Sequence, residues 1–245
     1  MVRLRIFISF LAVGAITSLL AQNSRLVDPF DKVIISPFIQ VEFVQGGEER
    51  VTIENCTVDP SKLNVEVKGN TLRIYLEGAK ETPKWDGYPN NQENGQVYEG
   101  TVVKARVSFK NLAEVSLRGD EDQLFKGLVK AKDFRLKVYG NSEVVFDEVD
   151  MEACHGTFYG DNTLLIKAGK IENQQYTVYG TSNIDCQEIN NTNSKLTTYG
   201  DAEYYVHASN EIKVTLFGDA SLYYKGNPVI SKGLNFGDMK VSRLD

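Results

Sequence analysis

The side chains able to do acid, base, nucleophilic or metal chemistry are few and scattered. The two histidines, His155 and His207, stand in different segments, and Cys56, Cys154 and Cys186 make neither a C-x-x-C pair nor a zinc-ligand spacing with either histidine. Three cysteines cannot complete a disulfide framework. Cys186 falls on the apolar phase of its strand and reads as a small buried hydrophobe. No G-x-S-x-G, H-E-x-x-H or phosphate-loop pattern occurs. Carboxylate pairs of the kind that cleave polysaccharide can be drawn, Asp185 with Asp201 or Glu143 with Asp161, but acidic side chains are also the ordinary surface of an acidic chain.

What recurs is an aromatic residue directly before a glycine. LKVYGNSEVVF, GTFYGDNTLLI, YTVYGTSNIDC, LTTYGDAEYYV and VTLFGDASLYY follow one another around Gly140, Gly160, Gly180, Gly200 and Gly218. Weaker copies surround Gly119 and Gly237, and successive glycines are 21, 20, 20, 20, 18 and 19 residues apart. Residues four and two before the glycine and four and six after it are the apolar set, for example Tyr176, Val178, Ile184 and Cys186. Spacing by two means strands with one buried face. The aromatic residue, one before the glycine, must then face outward. Tyr139, Tyr159, Tyr179, Tyr199 and Phe217 are therefore the candidate ligand-binding residues, a stripe of one ring per repeat at about 4.8 Å. A glycan or a surface or matrix protein is the expected partner, unless the segment 80–100, with Trp85 and Tyr88, covers the rings.

A repeat of about 20 residues has a contour near 66 Å, enough for one coil of short strands and turns. One coil cannot bury its apolar side alone, so copies must stack, like position over like, into parallel sheets. The expected core ladder is Val138, Phe158, Val178, Thr198 and Leu216. The glycine marks a repeated bend, and Asp161, Asp201, Asp219 and Asp238 after it read as turn residues. The nine-residue calcium-solenoid repeat is absent. We expect no metal and no cofactor.

The chain begins with Arg3 and Arg5, an apolar run from Ile6 to Leu20 and small Ala21, the layout of a signal peptide over 1–21. No cysteine stands at the cleavage point, and no stable membrane span is expected after cleavage. Residues 22–245 then form a single β domain: strands over 30–110, with the polar excursion at 80–100, and glycine-centred repeats over 111–245. A net charge of −6 without a basic cluster argues against nucleic acid.

Several segments in order resemble the autotransporter-adhesin head (GIN) domain family of exported bacterial proteins common among the Bacteroidetes. They are FDKVIISPFIQVEFVQGGEERVTIE, GNTLRIYLEG, VSFKNLAEVSLRGD, the glycine-centred repeats and YYKGNPVISKG. The resemblance implies an all-β, right-handed parallel β-helix and an adhesin-like role without catalytic residues, in the periplasm, on the outer surface or outside the cell. Two departures stand out. The family usually has Ser or Thr where this chain has the aromatic, and nothing after the repeats has room for a membrane barrel, so self-translocation is not expected. The sequence thus favours a non-catalytic binding module. A polysaccharide-active β-helix enzyme and a structural protein that self-associates through its ends are the alternatives.

Overall fold

A computed structural model describes residues 24–79 and 98–245. The signal peptide expected over 1–21, and Trp85 and Tyr88 of the excursion, lie outside the described residues. The chain is a β-solenoid of about 6 turns with rungs of about 20 residues. Its only helical turn among the described residues is Pro60–Lys62.

Five long strands carry the repeats: β9 (Gln123–Tyr139), β10 (Glu143–Ile166), β11 (Gly169–Cys186), β12 (Asn190–Ala208) and β13 (Glu211–Gly226). Each pairs in parallel with the next, one repeat out of phase, so Val138, Phe158, Val178, Thr198 and Leu216 form one inward column as expected. All five are buried. The core compensates volume between rungs: Gly156, at the same phase as Tyr176 and Leu196, leaves room for the rings of Phe158 and Tyr176, and a Cβ there would meet both at 2.7 Å. Thr198 satisfies its hydroxyl on Tyr204 Oη at 2.8 Å.

The repeated glycine is fixed by a close approach. Gly200 has φ +124°, and a Cβ on it would lie 2.3 Å from the carbonyl oxygen of Gly180 beneath. Any side chain would push the rungs apart. The +1 residue closes the same corner: the side chains of Asp120, Asn141 and Asp219 accept hydrogen bonds from the backbone N–H of Asn141, Asp161 and Asp238 on the next rung. Of the four aspartates expected as turn residues, the side chain of Asp219 accepts one of these bonds, while Asp161 and Asp238 donate their backbone N–H.

Among the N-terminal strands, chain order and stack order part. β2 (Lys32–Ile35) and β3 (Ile39–Gln45) make a rung that later residues enclose. On one side, β6 (Thr71–Leu76) pairs with β2 and β7 (Val103–Phe109) with β3; on the other lie β8 (Glu114–Arg118) and the start of β9. β4 (Arg50–Cys56) and β5 (Leu63–Lys68) run antiparallel on the outer side of β7 and β6, and the three-residue β1 (Ser24–Leu26) ends the sheet. β3 pairs with β9 only over Glu42–Val44, and a side chain extends the ladder. Buried Gln123 accepts from Val41 N at 2.9 Å and donates to the Ile39 carbonyl at 3.0 Å. The corner of this rung has no glycine, and Phe38 adopts φ +72°.

At the other end the inward positions become mixed: Ile230, Met239 and Val241 stay apolar over Ile212, Ala220 and Leu222, and polar residues enter beside them. In β14 (Val229–Phe236) and β15 (Met239–Arg243), Lys232 pairs over Val214, Asn235 over Leu216 and Arg243 over Tyr224. Charge turned inward on a last strand discourages edge pairing.

Replacing Gly200 with Ala is expected to destabilise the protein by about 2 kcal/mol or more, through a strained φ and the displaced rung. Gly47→Ala, whose Cβ meets nothing within 4 Å, should change stability by less than about 0.5 kcal/mol. Chemical denaturation of the two variants checks the difference.

Candidate binding face

The five candidate rings stand together, outward, as one stack. Centroids of Tyr139, Tyr159, Tyr179, Tyr199 and Phe217 follow one another at 4.9, 4.8, 4.9 and 4.9 Å, with planes within 5° of parallel. Phe236 adds a sixth ring at 5.4 Å. Tyr159, Tyr179 and Tyr199 are 38 to 40% exposed and Phe236 63%. The β10–β13 register forces this: odd positions face out, and one ring lands over each previous ring. Within the row the faces of each inner ring lie against its neighbours, so edges and hydroxyls meet solvent; the end rings, Tyr139 over Arg118 and Phe236, have a ring on one face only. Burial in the stack, followed by the neighbouring tyrosines, pushes the Tyr159 phenol above its ordinary pKa, which keeps it a neutral donor and acceptor.

Two further columns share this face. Three residues before the glycine stand Lys137 and then Thr157, Thr177, Thr197 and Thr215, all half-buried; five before it stand Arg135, His155, Gln175, Lys195 and Lys213. Short threonines therefore lie between a row of rings and a row of long polar or basic side chains. Reading the repeat only for its apolar phase passed over both columns, although the same alignment holds them at fixed offsets. A second, shorter stack, Tyr205 on Tyr223 at 4.8 Å, lies beyond the glycine corner.

The other candidate groups do not assemble. Asp201 follows the glycine directly, whereas Asp185 stands five positions beyond its own; Glu143 and Asp161 likewise occupy different columns. His155 lies 3.9 Å from Asp133 and is half-exposed, as is His207. Among the described residues no cluster of three or more His, Cys, Asp or Glu could hold a metal. No helix among them is long and apolar enough to cross a membrane. Glu121 is the carboxylate pushed up, by burial first, against the opposing backbone N–H bonds of Phe38, Glu121 and Asp120. It belongs to the corner that holds Phe38. Burial also pushes the Cys154 thiol up to about 12 and Cys186 further still, as a core position requires.

Two measurements follow from these groups. A folded-state pKa above the unfolded one makes Glu121 favour folding at acidic pH, and that contribution is lost as pH rises through the raised value. The melting temperature of the wild type should therefore fall relative to Glu121→Gln as pH rises from about 4 to 8; a constant difference would refute the assignment. A thiol reagent should modify one group, half-buried Cys56, in the native protein and all three after denaturation.

By sequence, the chain matches no curated protein. By structure, it is similar to a putative adhesin from Bacteroides fragilis, with a TM-score of 0.68 and 18% identity over 89% of this chain and 95% of that one. A putative adhesin from Parabacteroides merdae gives 0.62 and 17%, over 91% and 95% of the two chains. A putative lipid binding protein from Parabacteroides distasonis gives 0.63 and 17%, over 92% and 98%. At such identities the likeness is one of fold. Residues 29–228 match the family described as putative auto-transporter adhesin, head GIN domain, and the chain belongs to that family.

Proposed function

We propose that this protein is a non-catalytic, adhesin-like binding module of the cell envelope or exterior, and that the aromatic face is its binding surface. The observation that carries the reading is the uninterrupted row of outward rings on a flat, regular sheet. A contiguous exposed apolar row on such a surface marks an interaction site, and tyrosine adds a hydroxyl for orientation. Export is supported by the layout of residues 1–21 and by the adhesin family, whose members are named for surface attachment.

Because ring faces are occupied along the row, the partner meets edges and hydroxyls, and contact repeats once per rung. A ligand with its own repeat, such as a glycan chain, gains many equivalent weak contacts from this arrangement.

The test replaces Tyr159 and Tyr179 together, once with Ser and once with Phe, and measures melting and binding on an array of glycans and matrix proteins. Each stacked pair is worth about 0.5–1.5 kcal/mol beyond its area, so the Ser pair should lower the melting temperature somewhat, while the Phe pair keeps the stack. Binding should fall by more than about tenfold for Ser and by severalfold for Phe, the loss of two hydroxyl contacts. A large drop in melting with affinity intact for both pairs would make the ladder a structural device and refute the platform.

A further inference from the structure

Resting on the reading of the aromatic face as the binding surface, we propose that its ligand is an acidic glycan, a linear polymer bearing carboxylate or sulfate groups, laid along the threonine column. Three observations converge on this chemistry.

The first is unpaired charge. Lys195 and Lys213 face each other on adjacent strands, β12 and β13, at the same outward phase, and both are exposed. Neither has a carboxylate partner among the described residues, in contrast to Lys137 on Glu114 at 2.6 Å or Arg135 near Asp133 at 3.7 Å. Like charges directly opposite on neighbouring strands destabilise a sheet, so folding alone does not account for the pair. An anion placed between them does.

The second is the shape of the face. Thr157, Thr177, Thr197 and Thr215 lie between the rings and the row from Arg135 to Lys213, so a chain seated on the threonine hydroxyls has ring edges on one flank and, on the other, long polar side chains that end in ammonium groups at Lys195 and Lys213. On the far side of the rings run Asp161, Asp201 and Asp219, which repel anionic substituents. The two columns of opposite sign therefore orient the ligand, with one acidic group seated at the Lys195 and Lys213 pair.

The third is the repeat. The rings step at 4.8 to 4.9 Å. An extended peptide along the same axis advances about 3.3 Å per residue, and its side chains on one face recur at about 6.6 Å, out of step with the ladder. One pyranose unit of an extended β-1,4 glycan advances by close to the ladder step with alternate units turned over, so each sugar meets one rung and like faces recur at every second rung.

Calorimetric titration of the protein with a β-1,4-linked glucuronic acid oligomer, the neutral glucose oligomer of the same length and linkage, and polyglutamate tests this. The acidic oligomer should bind more tightly than the neutral one at low salt, by about fivefold to tenfold for two surface charge contacts, and the gap should close as salt is raised. Lys195→Gln with Lys213→Gln should abolish the gap; Lys104→Gln with Lys132→Gln should leave the gap intact. Equal binding of both oligomers, indifferent to the lysine pair, would overturn the acidic class while the aromatic platform stands. Tighter binding of polyglutamate than of either sugar would overturn it in favour of an acidic protein. Binding of no probe would overturn it as well, and the tyrosine variants on the array then judge the platform separately.

Discussion

One close approach governs this molecule: the carbonyl oxygen of each corner glycine occupies the space where the next glycine would carry a Cβ. With that contact in place, each rung from Gly119 to Gly237 turns at its glycine and is aligned there with the rung below. Register then decides everything that alternates. The even positions of every copy enter the core together and the odd positions leave it together, so a single corner contact converts a sequence repeat into columns. Aromatic, threonine, basic and acidic columns are consequences of the same constraint.

Stacking like over like also creates a problem, because a polar residue placed inward must find partners within its own or the adjacent rung. Around Tyr176 the protein solves it locally. Gln174 Nε2 donates to Ser194 Oγ, Ser194 Oγ to Asn191 Oδ1, and Asn191 Nδ2 to the Ile171 carbonyl, while Tyr176 Oη reaches Gln174 Oε1. These side chains are all buried. Each hydrogen bond runs between rungs or within one turn, and a slip of one residue would leave all of them unpaired in a low-dielectric interior. Apolar columns tolerate a shift by their chemistry; these amides do not.

The repeats were legible from sequence because their signal is periodic in both senses, two within a strand and about twenty between rungs. The inward column Val138 to Leu216 and the outward rings needed only the parity of their distance from the glycine. What was not legible is what lacks periodicity. That β2 and β3 lie between strands arriving later in the chain depends on a crossover, and no local pattern encodes it. Gln123 in the ladder between β3 and β9, and Phe38 in a corner that elsewhere holds glycine, are single solutions at that crossover. The polar inward residues of the last rung, Lys232, Asn235 and Arg243, are visible as charges in the sequence, but only the register shows which core residues they cover. The role of the face rests on a further step, since columns describe what a partner would meet and not which partner comes.

The two ends bear on that step. At one end short antiparallel strands close the sheet, and at the other Lys232, Asn235 and Arg243 share the inward positions with Ile230, Met239 and Val241, so charge interrupts the apolar core at its end. Such ends disfavour growth along the axis and leave the sides of the solenoid as the surface on which repetition can act. A side made of similar rungs suits a task in which many modest contacts at a fixed step add along a ligand that repeats, and in which losing one contact weakens binding without abolishing it. The aromatic row is the longest run of near-identical outward positions among the described rungs, and at Lys195 and Lys213 its flank carries charge that the fold itself leaves unmatched.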